Sequence, residues 1–209
     1  MTPSPSVRIL VVATLAVLGL VGLVIRESLA RAAGVEVVLA MQGVDPRTTL
    51  SGNYVAISLR ETLPIGQACP PGFSATDAVR GGFPFAALPP KRWVAMARRS
   101  DHDTVVGVAG DRAAARRYGP VVARGAAWCE PPWTSGDGQT VNSAAVSLDL
   151  GVDRFHIGQA EAERIGALVA RHGAGAAGPV AAIVSVDADG QARLKGLLVE
   201  GRRFELELL

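Results

Sequence analysis

Hydrophobic and polar positions divide this chain into two regimes. From Ile9 to Ile25 no residue is charged and Thr14 alone is polar; beyond that run the apolar stretches are short and separated by turn residues. Seventeen residues in a helix cover about 25 Å, close to the thickness of a bilayer's hydrocarbon core. Arg8 and Arg26 flank the run, and the stems of terminal arginines snorkel to the interface. The pattern reads as an uncleaved signal anchor with its juxtamembrane segment over residues 1–33, followed by an extracytoplasmic domain over 34–209. A cleaved signal peptide is the competing reading, because Ala30-Arg31-Ala32 resembles a small-x-small cleavage site. Cleavable apolar cores usually run only about 7 to 15 residues, which favours the anchor. The short amino-terminal stub stays inside, so the chain crosses the inner (cytoplasmic) membrane once with its C-terminal domain outside.

Beyond the anchor the alternation is that of strands. Val35 to Met41 and Tyr54 to Leu59 read as a first pair, with a turn at Gly43-Val44-Asp45-Pro46. Residues 61–90 are rich in proline and glycine and read as a long surface excursion. Trp93 to Arg98 and Thr104 to Ala109 flank a polar hairpin turn at Ser100-Asp101-His102-Asp103, and Asp111 to Tyr118 is a short helical candidate. Strands are expected at Val121 to Trp128, Val146 to Leu150 and Phe155 to Ile157, with a second loop over 129–140. Gln159 to His172 reads as a helix stopped by Gly173. Val180 to Val186, a turn at Asp187-Ala188-Asp189-Gly190, Ala192 to Val199 and Phe204 to Leu208 close the chain. The fold class is therefore α+β and β-rich: an N-terminal transmembrane helix, then a mainly antiparallel sheet or small barrel-like domain with one or two helices.

Charge excludes some partners. Residues 26–209 carry 20 basic and 19 acidic residues, so they offer no basic field for nucleic acid. Cys69 and Cys129 are the only cysteines, and an even count in an oxidising space reads as a disulfide, with two separate thiols as the other reading. Both sit beside proline pairs, so a bridge would tie two irregular loops together.

Chemistry-bearing patterns are sparse. Gly173-Ala174-Gly175-Ala176-Ala177-Gly178 spells the dinucleotide fingerprint, but a helix precedes it and a strand follows, the reverse of a phosphate cradle. It reads as a helix-to-strand loop, and no cofactor is expected. Asp101-His102-Asp103 reads as a solvated turn rather than a metal site, because three consecutive turn residues rarely converge on one ion. No catalytic residue is assigned, and the reading is non-catalytic. Small residues at Ala13, Ala16, Gly19 and Gly22 would let a neighbouring helix approach, although their spacing misses the small-xxx-small pattern.

The most specific soluble segment is Val44 to Leu59. Asp45-Pro46 starts a turn, Gly52-Asn53 permits a left-handed or bulged backbone, and Tyr54 enters a strand. This stretch resembles the motif of the GDYXXLXY family of membrane-anchored bacterial proteins. Gly52 and Tyr54 match outright, while Asn53, Ile57 and Leu59 stand at the motif's aspartate, leucine and final tyrosine positions. Leu150 to Phe155 and the closing Ser185 to Val199 continue the likeness. The resemblance implies a membrane-tethered envelope or periplasmic domain without an assigned activity, partnered by the lipid bilayer and by a multi-pass membrane protein. Asn53 argues against any role needing a carboxylate at that position.

Two other classes compete with an accessory or interaction protein. Signal peptidases also place an anchor before a Ser-Met and Gly-Asp segment, so an envelope serine/lysine hydrolase, active or degenerate, would use Ser51 with Lys91 or Lys195. A small-ligand or lipid-binding domain would instead need an apolar cavity within the sheet.

Overall fold

A computed structural model describes residues 4–43, 54–73, 90–132, 142–152, 154–156, 160, 163–164, 167 and 180–205. Helix α1 spans Pro5–Ala33, with Pro5 in its first turn and Ser4 at the cap. Proline suits that place because the first-turn amide lacks a helical acceptor anyway. The apolar stretch of α1 is wholly exposed and long enough to cross a membrane. The helix does not stop where the apolar run stops. Arg26 to Ala33 add two more turns, and only Gly34 separates them from strand β1 (Val35–Gly43).

The strand region follows as β2 (Tyr54–Thr62), β3 (Arg92–Arg99), β4 (His102–Ala109), helix α2 (Arg112–Arg116), β5 (Val121–Glu130), β6 (Ala145–Asp149), β7 (Arg154–His156), β8 (Val180–Val186), β9 (Ala192–Val199) and β10 (Arg202–Glu205). Residues 160, 163, 164 and 167 are helical, within the helix expected over Gln159 to His172. The sheet order is β10-β9-β8-β1-β4-β3-β5-β6-β2-β7, and an added β1–β2 pairing closes β1, β4, β3, β5, β6 and β2 into a six-stranded barrel. β8, β9 and β10 extend the sheet from β1. Every pairing is antiparallel except β1 with β4, which share the single bridge Leu39↔Asp103.

Burial follows the sequence pattern. β8 is apolar apart from Ser185 and all seven of its residues are buried, as a central strand covered on both faces must be. β9 alternates, sending Arg193 and Lys195 outward and Leu194 and Leu197 inward across a bulge at Ile183/Val184. α2 is capped by the Asp111 carboxylate, which accepts from the Ala114 amide at 2.8 Å, and buries Ala115 against Ala95, Ala109 and Val122 on the outer face. Inside the ring, a void of about 10 Å³ remains between Leu39, Val105, Val146 and Leu148, room for one water at most.

The junction between helix and barrel is tight. A Cβ on Gly34 would collide with Ser185 Oγ and sit 2.9 Å from the Val186 carbonyl oxygen. Two helical turns earlier, the Glu27 carboxylate accepts from Arg193 Nε at 2.7 Å, and Arg193 Nη1 donates to Asp187 Oδ2 at 2.6 Å. Glycine at 34 is thus required by close approach, and alanine there is expected to cost about 1–3 kcal/mol of overpacking. Thermal melting of G34A in detergent checks this; a melting temperature equal to the parent's would refute the close fit.

Three sequence expectations change. The β3–β4 turn is Ser100-Asp101 alone, with Ser100 at φ 51, and His102 and Asp103 belong to β4. Cys129 lies on strand β5 rather than in a loop. Strand β10 begins at Arg202, ahead of the expected Phe204. The expected turn at 44–46, the loop over 133–140 and the glycines of 173–178 lie outside the described residues.

Candidate functional site

Of the motif positions, Gly52 and Asn53 lie outside the described residues, as does Ser51. Tyr54 opens β2 and pairs with His156 of β7, fixing the register Tyr54↔His156, Val55↔Phe155, Ala56↔Arg154. Ile57 and Leu59 are buried in the main core, two residues apart on one face of the strand, and Ile57 pairs with Gly43 and Leu59 with Met41. Apolar side chains at these two positions therefore serve packing at the place where β2 meets β1.

The same alternation carries Glu61 onto that inner face, and this is where the polar chemistry gathers. Asp103 Oδ2 accepts from the Val38 amide at 2.7 Å and from Arg98 Nη1 at 3.1 Å, with the Asp103 residue only 6% exposed. His102, one residue earlier on β4, places Nδ1 2.9 Å from Asp101 Oδ1 and Nε2 3.5 Å from Glu61 Oε1. The His102 hydrogen bond holds the exposed Asp101 carboxyl below its ordinary range. An open cleft of about 440 Å³ borders this trio, floored by Leu63, Pro64 and Ile65 and rimmed by Arg99, Ser100 and Ser143. No hydroxyl is hydrogen-bonded to His102 among the described residues, so the histidine is bracketed by carboxylates rather than aimed at a nucleophile. Nor do any three His, Cys, Asp or Glu residues among those described converge on a metal position. Asp103, expected in a solvated turn, instead faces inward as an acceptor for β1, because the turn is two residues shorter than its polar sequence suggests.

Other charged groups are committed to seams between strands. Arg60 on β2 grips Glu130 on β5 with two hydrogen bonds, one at 3.0 Å, and reaches Ser147 Oγ at 3.4 Å. Glu36 on β1 takes two hydrogen bonds from Arg203 at 2.8 and 2.6 Å and one from Lys195 at 3.1 Å. Lys195, a candidate base, thus donates its ammonium to a carboxylate, while Lys91 is exposed just before β3. A second open groove lies between Ile57, Trp128, Leu148 and Leu150.

These ion pairs make the fold acid-sensitive. The Arg203 hydrogen bond holds Glu36 below its ordinary 4.5, against the opposing effect of burial. Burial alone would raise Asp187, but hydrogen bonds from Arg193 and from the Gln191 and Asp189 amides outweigh it and leave its pKa below 3.8. A carboxylate depressed in the folded state adds stability above its unfolded pKa and loses it as pH falls through the folded one. The chain is therefore expected to hold its melting temperature down to pH near 4.5 and to lose it below. E36Q should flatten that fall, and an identical acid profile in wild type and variant would contradict it.

Cys69 and Cys129 are bridged, with Cα atoms 5.9 Å apart. The bridge ties the segment after β2 to β5, and the Val108 amide donates to the Pro71 carbonyl at 3.0 Å. Gly72 has φ +87 and lies so close to the Val108 carbonyl that no side chain fits there. The inward turn of Glu61 was available from strand parity, since it falls two residues past the core position Leu59. Glu27–Arg193 and Arg60–Glu130 had no such signal, being separated by 166 and 70 residues.

The chain matches no curated protein and no solved structure. A family profile described as GDYXXLXY protein does match, over residues 16–197, from within the apolar helix through β9. That span covers the end of α1, the β2 motif strand, the barrel and the β8–β9 hairpin, and the chain belongs to the GDYXXLXY protein family.

Proposed function

We propose that this protein is a single-pass tether of the bacterial inner membrane whose barrel works outside the cytoplasm as a non-catalytic accessory of another membrane protein. The observation that carries the reading is α1: a wholly exposed apolar helix that runs into the barrel without a linker and is clasped to it by Glu27–Arg193 and the close fit at Gly34. A flexible tether would let a domain diffuse to soluble targets. A continuous helix holds it at one height above the bilayer, which suits a fixed neighbour in the same membrane. The disulfide supports an oxidising location, since cytosolic thiols stay reduced.

Two measurements test the reading. A reporter fused after residue 209 is expected to be active only outside the cytoplasm, and the full-length chain to resist alkaline extraction from membranes. Photocrosslinkers placed in the cleft beside His102 and in the groove beside Trp128 are expected to capture a multi-pass membrane protein. A cytoplasmic reporter, or loss of a cellular phenotype on Ser51→Ala or Lys91→Ala at unchanged protein level, would replace this reading with another compartment or with a hydrolase.

A further inference from the structure

Beside the β8–β9 turn lies a group of arginines that no carboxylate among the described residues pairs with. Several other cations are paired: Arg60 with Glu130, Arg98 with Asp103, Arg193 with Glu27 and Asp187, and Arg203 and Lys195 with Glu36. Arg112 and Arg124 instead flank the Trp93 ring, their guanidinium carbons 5.6 and 5.5 Å from its centroid. Neither has an ion pair among the described residues, and the Nε of Arg112 is buried without a hydrogen-bond partner. Arg31 Nε is orphaned in the same way, one helical turn beyond Glu27.

A chain of contacts links these groups to α1 just beyond its apolar run. Glu27 lies two residues past Ile25, about 3 Å along the helix axis. Arg193 joins Glu27 to Asp187, and the β8–β9 turn that Asp187 opens presents Gly190 to Trp93. The Arg124 amide donates to the Gly190 carbonyl at 2.7 Å. Trp93 and its two arginines are thus linked, through one short turn, to the first charged turn beyond the apolar run. The nearby acids are Asp111, committed to capping α2, Asp189 in the turn, and Glu27, held by Arg193.

We propose that Trp93, Arg112 and Arg124, with Arg31 on α1, form a docking surface for the phosphates of anionic phospholipids in the leaflet that α1 enters. An arginine stacked on an aromatic face keeps its N–H edge free, and that fork matches a phosphate in two hydrogen bonds. Tryptophan favours the same headgroup level. The surface deepens the tether reading and rests on it: the lipid sets the barrel's tilt, where α1 alone sets its height.

Full-length protein carrying Trp128→Phe and Trp133→Phe leaves Trp93 as the sole tryptophan. It is placed in nanodiscs of phosphatidylcholine with either brominated phosphatidylglycerol or brominated phosphatidylcholine. Trp93 emission is expected to be quenched by the brominated anionic lipid, and R112Q or R124Q to lower the docked-to-undocked ratio by roughly fivefold each. Circular dichroism of each variant confirms folding, and the second arginine serves where the first variant fails. Equal quenching by both lipids would overturn recognition of the phosphate charge. An unquenched Trp93 in protein that still resists alkaline extraction would overturn docking and leave the tether standing. Extraction by alkali would remove the tether and this surface with it.

Discussion

Removing the disulfide is expected to cost this fold about 4 kcal/mol, more than any surface substitution. The bridge joins residues 60 apart and encloses β3, β4 and β5 of the barrel wall together with α2, the helix packed on them. Leaving that loop open returns to the unfolded chain the freedom that the bridge removes, and the entropy of a closure this long sets the figure. The bridge also has a local task. It holds the segment at 69–73, where Phe73 packs against the main core and the Pro71 carbonyl accepts from the Val108 amide. Cys69→Ala with Cys129→Ala avoids burying a lone hydroxyl where Cys129 is 3% exposed. The double variant is expected to melt roughly 10 °C lower than the parent. A reductant should bring the parent to the same temperature and leave the variant unmoved; a parent indifferent to reductant would show that the bridge carries no stability.

Several elements were legible because one local rule decided each. The hairpin of β8 and β9 followed from Asp189-Gly190 between two apolar runs, and it forms in that register, with Val186 opposite Ala192. The long apolar helix followed from length and composition, and β3 and β4 from alternation around a polar turn. The pairing of Cys69 with Cys129 followed from there being only two cysteines.

What escaped had distance or shape behind it. Polar residues at Ser100 to Asp103 read as a four-residue turn, but Ser100 adopts a left-handed backbone and closes the hairpin in two, sending Asp103 into the protein. Composition cannot report such a shortening, because the same letters suit either turn. Closure of the ring depends on β1 meeting β8 and β4 through one half and β2 through the other. No window of sequence holds that information. Arg26 to Ala33 looked like a juxtamembrane trail, and only the partner at Arg193 makes them a rigid extension of the apolar helix. Of the motif, the apolar positions Ile57 and Leu59 were readable as strand residues, yet their burial beside β1 was not.

Asp103→Ala is expected to open the barrel at its weakest seam. β1 and β4 run parallel and share one bridge, so few main-chain hydrogen bonds hold them together. The Asp103 carboxylate supplies what the ladder lacks: its Oδ2 accepts the Val38 amide at 2.7 Å and, with Arg98 at 3.1 Å, keeps its own charge matched in a nearly buried position. Alanine would leave the Val38 donor without its acceptor and a cavity beside Leu39, and an orphaned buried donor together with a lost charged hydrogen bond costs about 3 kcal/mol. Asp103→Asn keeps an oxygen for the Val38 amide and loses only the attraction to Arg98, whose side chain is half exposed, so it should cost less than half as much. Denaturant midpoints of the two variants, with amide exchange at Val38 and Leu39, separate these contributions. The alanine variant should release the Val38 amide to solvent roughly a hundredfold faster than the parent while the β8–β9 hairpin stays protected. Equal exchange in all three proteins would mean that packing of Leu39, Val105 and Val146 closes the ring unaided, and that Asp103 only follows where the strands have already met.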